Sequence, residues 1–252
     1  MGLFEGKIVL VSGGTRGIGF AAAKKFAHEG ATVAVCGRNR QHVDQAAADL
    51  RMISASSTGM KCDVSNPEEI DAMFTQLVDQ YKRLDICLVT AGICEWRETD
   101  EISVNDFNRT MDINARGLFL VTRHAGKMMK KQGSGSIILN GSISGFMADP
   151  QGGLIAYEAS KGAVHLLTKS FAAEYGPFGV RVNGIAPGWI STDMNAQVRA
   201  DADMMKEILN LIPLGRFGEP EEVAELAAFL ASEDASFVNG AIVSIDGGNL
   251  SI

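Results

Sequence analysis

The sequence predicts an α/β protein: a doubly wound, seven-stranded parallel sheet flanked by helices, in a single domain over residues 1–252. Short Val- and Ile-rich runs alternate with longer stretches of helical period. The runs are mostly apolar, as suits strands covered on both faces, and no Ser/Gly/Pro-rich linker or repeat divides the chain. With 252 residues, 46% of them hydrophobic, there is ample material for one large core.

The first run, KIVLVS (7–12), passes straight into Ser12-Gly13-Gly14-Thr15-Arg16-Gly17-Ile18-Gly19 and an alanine-rich helix over 17–29. Glycines there let the backbone turn tightly and present amides at a helix N-terminus, a setting suited to a pyrophosphate. ATVAVC (31–36) follows, then a helix over 40–51, a weaker strand GMKCDV (59–64) and a helix over 67–81. That helix opens on Asn66-Pro67-Glu68-Glu69, proline fitting the first turn and carboxylates the positive end of the helix. DICLVT (85–90) leads to a long helix over 103–131, SIILNG (136–141) to one over 156–176, and VRVNGIA (180–186) to one over 196–210. Gly218-Glu219-Pro220-Glu221-Glu222 starts a helix over 220–231, and AIVSI (241–245) closes the sheet. Ligands of such sheets bind at the carboxyl ends of the strands.

A net charge of −7 and a pI near 5.2 argue against nucleic-acid or anionic-membrane partners. The N-terminal MGLFEGKIVLVSGG has the pattern of neither a signal peptide nor a membrane span, so a cytoplasmic location is expected. Cys36, Cys62, Cys87 and Cys94 lie in or beside apolar segments without metal-ligand spacing. They read as free thiols, most of them buried, and no metal is expected.

Within the helix over 156–176, Tyr157 and Lys161 stand four residues apart in YEASK, neighbours on one face. An ammonium beside a phenol favours the phenolate, which would bring the tyrosine toward neutral-pH proton exchange.

The spacing Gly13, Gly17, Gly19 resembles the glycine-rich turn of the short-chain dehydrogenase/reductase family, and the rest of the chain follows in register. DICLVTAG stands at the family's fourth strand and NNAG, MDINARG supplies Asn114, NGSISG supplies Ser142, YEASK supplies Tyr157 and Lys161, and PGWIST matches PGxxxT. The resemblance implies a Rossmann-type fold and a catalytic set of Asn114, Ser142, Tyr157 and Lys161: the tyrosine as proton donor, the serine orienting a carbonyl, the lysine on the nicotinamide ribose and the asparagine supporting a water relay. Ser144 is a rival to Ser142. By the same resemblance, cofactor contacts fall on Gly13, Thr15, Arg16, Gly17, Ile18, Gly19, Arg38, Asn39, Asp63, Val64, Ala91, Gly92, Tyr157, Lys161, Pro187, Gly188, Ile190 and Thr192.

Gly37 occupies the position where an acidic residue would bind a ribose 2′-hydroxyl, and Arg38 follows it. With Arg16 in the turn, two guanidinium groups could bracket a 2′-phosphate, so NADP(H) is expected over NAD(H), and a methyltransferase on a similar sheet is disfavoured. Val89-Thr90 replaces the paired asparagines of the family, so the resemblance implies that the side-chain bond of the first of these, where Val89 stands, is missing between the central strands. The pocket wall is expected from Ile93 to Trp96, from the loop over 146–155 and from a lid at about 189–215, with Ser144, Trp96, Trp189 and Met194 as substrate contacts and Met204 and Met205 completing an apolar lining.

The activity implied is NADPH-dependent reduction of a ketone or other carbonyl to a secondary alcohol, reversible. Sugar or polyol dehydrogenation, 3-oxoacyl thioester reduction and a non-catalytic NADP(H) sensor are the alternatives. Lys127, Lys130 and Lys131 read better as a solvated helix end than as a carrier-protein dock, and Ala173 stands where carrier-protein reductases often have arginine. Pairing of the two long helices across a two-fold axis implies a homotetramer, or a homodimer.

Overall fold

The computed structural model describes residues 2–252, and its seven strands form one all-parallel sheet in the order β3-β2-β1-β4-β5-β6-β7. The strands are β1 (Ile8–Ser12), β2 (Thr32–Gly37), β3 (Thr58–Lys61), β4 (Ile86–Val89), β5 (Gly135–Asn140), β6 (Val180–Pro187) and β7 (Ile242–Ile245). Successive side chains point to opposite faces, and both faces are covered. On one, Leu10, Cys87, Ile137 and Val182 pack with Phe74, Val121 and Val164; on the other, Val9, Val11, Leu88 and Ile138 pack with Phe26, Val223 and Ala227.

The helices over the first face are α3 (Pro67–Tyr81), α4 (Val104–Met111), α5 (Leu118–Gln132) and α6 (Ile155–Tyr175); over the second lie α1 (Gly17–His28) and α9 (Pro220–Ala231), with α2 (Arg40–Arg51) beside β2 and β3. Both sequence-marked helix starts carry their caps. The Asn66 side chain accepts from the Glu68 amide at 2.9 Å, and Glu219 and Glu222 form a reciprocal capping box at the head of α9. No helix among the described residues is long and apolar enough to cross a membrane.

Three elements differ from the sequence reading. The helix expected over 103–131 is two α-helices joined by a π turn, Asp112–Gly117. The helix expected over 196–210 divides into α7 (Ala196–Ala200) and α8 (Ala202–Asn210), because Asp201 is extended and its carboxylate caps the second piece through the Asp203 and Met204 amides, both at 3.0 Å. β3 stops at Lys61 rather than at residue 64, since the Asp63 carboxylate turns the chain by accepting from the Ser65 amide and hydroxyl at 2.9 and 2.7 Å.

Candidate functional site

The carboxyl ends of β1, β4, β5 and β6 converge on one edge of the sheet, where the chain leaves each strand for the next helix. At the end of β1, Gly13 adopts φ +78°, and a β-carbon there would come within 2.6 Å of the Ala91 nitrogen. Only glycine fits that approach. A β-carbon on Gly19 would lie 2.3 Å from the Gly13 carbonyl oxygen, and one on Gly17 would touch the Thr192 methyl at 3.4 Å, so PGWIST meets the glycine turn as its neighbour in space. Arg16, the residue before α1, is extended and caps nothing with its side chain. The first amides of α1 therefore have no side-chain cap, and the cradle fits a dinucleotide pyrophosphate.

Val89 offers no side-chain hydrogen bond, as expected, but Thr90 beside it makes one. Its hydroxyl donates to the Ser12 carbonyl at 2.7 Å and its amide to the same oxygen at 2.8 Å, so β4 is tied to β1 by side chain and main chain together. The threonine replaces a long amide with a short reach because the two strands are adjacent at that point.

At the ribose end, Gly37 lies against Thr15, and Arg38 is exposed, making no ion pair among the described residues, with its charge lowering the Asp63 carboxyl behind that group's own Ser65 hydrogen bonds. Arg16 faces the segment after β6, 3.7 Å from Asp193 in a solvent-exposed pair that adds little stability. Asn39 commits its side-chain oxygen to the α2 cap, accepting from His42 at 3.2 Å.

The reacting end is assembled from three elements. The π turn delivers Asn114, 1% exposed, whose amide accepts from the Ile93 N–H at 2.8 Å, donates to the Ile93 carbonyl at 2.8 Å and donates to the Ser160 hydroxyl at 3.0 Å. Ser160 donates in turn to the Tyr157 carbonyl at 2.6 Å. Lys161, 4% exposed, donates from Nζ to the Asn140 carbonyl at 2.8 Å and lies 5.4 Å from the centre of the Tyr157 ring. Ser142 is buried at the end of β5, and its hydroxyl accepts from the Ser144 amide at 3.1 Å. Asn114, Ser142, Tyr157 and Lys161 thus share one site with Gly92, whose β-carbon would sit 3.3 Å from the Asn114 Oδ1 and 3.9 Å from the Lys161 Nζ.

The expected electrostatics change here. Burial pushes the Tyr157 phenol above its ordinary value, Cys94 adds to the rise, and the facing Ser142 hydroxyl opposes it. Burial also pulls Lys161 down to about 8. Tyr157 is half-buried and Lys161 buried, and on each group the loss of solvation is the leading cause of the shift. Cys94 is pushed up to about 11 by burial; Lys161 opposes, and Asp149, Glu95 and Glu158 add to the rise, so the thiol stands between the Tyr157–Lys161 pair and three carboxylates.

Around the mouth, the Trp96 indole donates to the Gly152 carbonyl at 3.0 Å, and the Arg97 amide donates to Gly153 at 2.9 Å, closing the 93–98 loop onto the 146–154 loop. The segment after β6 has its own small core of Ile208, Ile212 and Phe217, with Trp189 and Met205 against it; the Trp189 and Phe217 rings are 5.8 Å apart. Trp189 is therefore largely occupied by packing within that segment. Met194 and Met204 lie at the surface, and Ile190 is buried behind them. Ser160, Asn140 and Thr90 join the site without having been singled out for it, although each lies inside a quoted motif: YEASK, NGSISG and DICLVTAG.

Residues 13–249 match the family model described as enoyl-(acyl carrier protein) reductase. The chain is 38% identical over 247 residues to the 3alpha-hydroxysteroid dehydrogenase of Mediterraneibacter gnavus, covering 97% of each, and 35% identical over 244 residues to the galactitol 2-dehydrogenase (L-tagatose-forming) of Cereibacter sphaeroides, covering 97% of this chain and 95% of that one. In structure it resembles a gluconate 5-dehydrogenase from Burkholderia cenocepacia in complex with NADP and tartrate, with a TM-score of 0.94, 31% identity, and 98% and 96% of the two chains covered. Likeness of this extent, in sequence and backbone alike, makes the chain a member of the short-chain dehydrogenase/reductase family, oxidoreductases that interconvert CH–OH and C=O groups with a nicotinamide cofactor.

Proposed function

We propose that this protein is an NADPH-dependent reductase of uncharged ketones, reversible with the secondary alcohol. The observation that carries the reaction is the convergence of the buried Ser142, Lys161 and Asn114 with the half-buried Tyr157 on one corner at the end of the sheet. A protein that only senses its cofactor has no need of all four. The bound nicotinamide supplies the hydride. The chain supplies the rest: Ser142 orients the carbonyl oxygen, and Tyr157 gives it a proton as negative charge builds there. A phenol held above its ordinary value is protonated at neutral pH, which suits the direction of reduction. Lys161 would hold the ribose, and Asn114, fixed by Ile93 and Ser160, would carry the relay by which Tyr157 is reprotonated.

The preference for NADPH rests on Gly37-Arg38 and on the freedom of the Arg38 guanidinium to meet a 2′-phosphate. Arg38→Asp should weaken kcat/KM for NADPH by roughly 100-fold while changing NADH by a few-fold. Equal losses with both cofactors in steady-state kinetics would overturn this preference.

The uncharged substrate follows from the mouth. Asp149, Glu95 and Glu158 face the Cys94 corner, while the arginines on the surrounding loops are committed: Arg109 to Glu95 at 2.7 Å, Arg97 to Asp106 at 3.6 Å, Arg199 to the Thr192 carbonyl at 3.0 Å. A carboxylate substrate would meet Asp149 and Glu158 without a paired arginine, and the one ammonium in the corner, Lys161, is turned to the Asn140 carbonyl at 2.8 Å, which speaks against sugar acids and acidic carrier thioesters. Matched ketones with and without a carboxylate test this: the neutral one should have at least a roughly tenfold higher kcat/KM, and Glu158→Gln should narrow the gap. A preference for the acid would defeat the reading.

A homotetramer, or a homodimer, and a cytoplasmic location complete the proposal. Leu166 on α6 and Phe178 just beyond it are exposed and available to a subunit contact. Light scattering of the purified protein gives the subunit number.

A further inference from the structure

His165 has no part in the chemistry above, yet it stands one helical turn beyond Lys161 on α6, only 6% exposed, with both ring nitrogens lacking a hydrogen-bond partner among the described residues. A buried imidazole left without partners is costly, so its surroundings need a reason. They supply one. The ring fills the space beside the two glycines that bracket Ser142: a β-carbon on Gly141 would lie 2.6 Å from Nε2, and one on Gly145 would lie 2.5 Å from Cε1. Phe146 covers the ring from outside, with centroids 4.3 Å apart.

The turn itself is lightly held. The Gly141 amide donates to the Ile185 carbonyl at 2.8 Å, the Gly145 amide to the Ser142 carbonyl at 3.0 Å and the Ser144 amide to the Ser142 hydroxyl at 3.1 Å. The Phe146 amide adds a bond to the Ile143 carbonyl at 2.8 Å, and of these four only the first reaches outside the turn. The His165 ring is the side chain packed closest against Gly141 and Gly145. The charged groups facing that ring are Lys161 and Lys169 from its own helix; the turn offers it only the carbonyls of Ser142 and Gly145, near enough to favour a proton but not aligned as hydrogen bonds. Burial, with the two ammonium groups behind it, keeps the imidazole below its ordinary value and so uncharged at neutral pH.

We propose that His165 is a positioning residue for Ser142: its ring is the wedge on which the Gly141–Gly145 turn is folded, and it thereby sets the direction of the serine hydroxyl toward Tyr157. The proposal rests on the reading of Ser142 as the group that orients the carbonyl. A displacement of about 1 Å at such a group costs up to about 100-fold in rate. The wedge also explains both glycines, since any side chain at 141 or 145 would occupy the volume of the ring.

The test is a double-mutant cycle. His165→Ala should lower kcat about 10-fold or more in the native chain and less than about 2-fold in the Ser142→Ala chain, with NADPH affinity by fluorescence titration unchanged in both. Equal fold-losses in the two backgrounds would overturn the proposal, because a general packing defect does not depend on the serine. If His165→Ala does not fold, Gly145→Ala carries the same cycle from the opposite side of the contact, since the three atoms nearest its β-carbon all belong to the His165 ring. The same two outcomes decide it. The reading on which the proposal rests fails separately: Ser142→Ala would then turn over at the native rate.

Discussion

Tyr157→Phe should reduce turnover by roughly 10²- to 10⁴-fold while leaving NADPH affinity within about 2-fold. The ring keeps its place at the head of α6 with only the hydroxyl removed, and the Ser160 bond reaches the Tyr157 main chain, so Asn114 stays tied as before. The pH dependence separates donor from bystander. Burial holds the phenol above its ordinary value, so it is protonated throughout the neutral range and reduction requires no change in its state. Alcohol oxidation requires the phenolate, and its rate should climb as pH rises toward about 10 and beyond. Absorbance at the nicotinamide band in both directions reads both effects. A Tyr157→Phe enzyme as fast as the parent on every accepted ketone would remove the tyrosine from the reaction.

Lys161→Met should stabilise the fold while stopping turnover. The Lys161 ammonium is 4% exposed, and burial brings it from 10.5 to about 8, a cost to folding of roughly 3 kcal/mol. The sign is fixed by where the proton is held less tightly. A folded value below the unfolded one means that the native state binds fewer protons between about 8 and 10.5. The penalty is then present in full below about pH 8 and disappears as pH passes 10.5. Methionine fills the same tunnel without a charge, though it leaves the Asn140 carbonyl without its 2.8 Å donor, which returns part of the gain. We expect a net gain of about 1–2 kcal/mol at pH 7, or a Tm higher by several degrees, shrinking toward pH 10. Calorimetry at pH 7 and pH 10 checks both the size and the trend. A variant that melts below the parent at pH 7 would mean that the lysine stabilises the fold.

How much of this was legible in the chain depends on distance along it. The sheet, its seven strands and the helix starts at Pro67 and Pro220 were readable because local periodicity and capping chemistry act within a few residues. The turn at 13–19 and the pair at 157 and 161 were readable as patterns of residue type. The π turn was not: DINARG is ordinary helix composition, and nothing local marks the wider ring of hydrogen bonds. The break at Asp201 was hidden because apolar period runs through 196–210 and an aspartate there reads as surface until its cap is seen. The Thr90 bond was hidden because its partner, the Ser12 carbonyl, is 78 residues away. The fall in Lys161 and the rise in Tyr157 depend on burial, which a helical spacing of four does not reveal.

The π turn between α4 and α5 has a meaning in the language of insertions and deletions. A π turn holds one residue more than the α-turn it replaces, so the helices on either side keep their phase while the extra residue bulges at one point. Deleting a single residue from Asp112–Gly117 would heal the hydrogen-bond ladder and leave Thr110 on one side and Val121 and Met129 on the other still facing the core. It would withdraw Asn114 from Ile93 and Ser160. Along this stretch the chain is one residue longer than packing alone requires, and that surplus residue is what connects the scaffold to the chemistry.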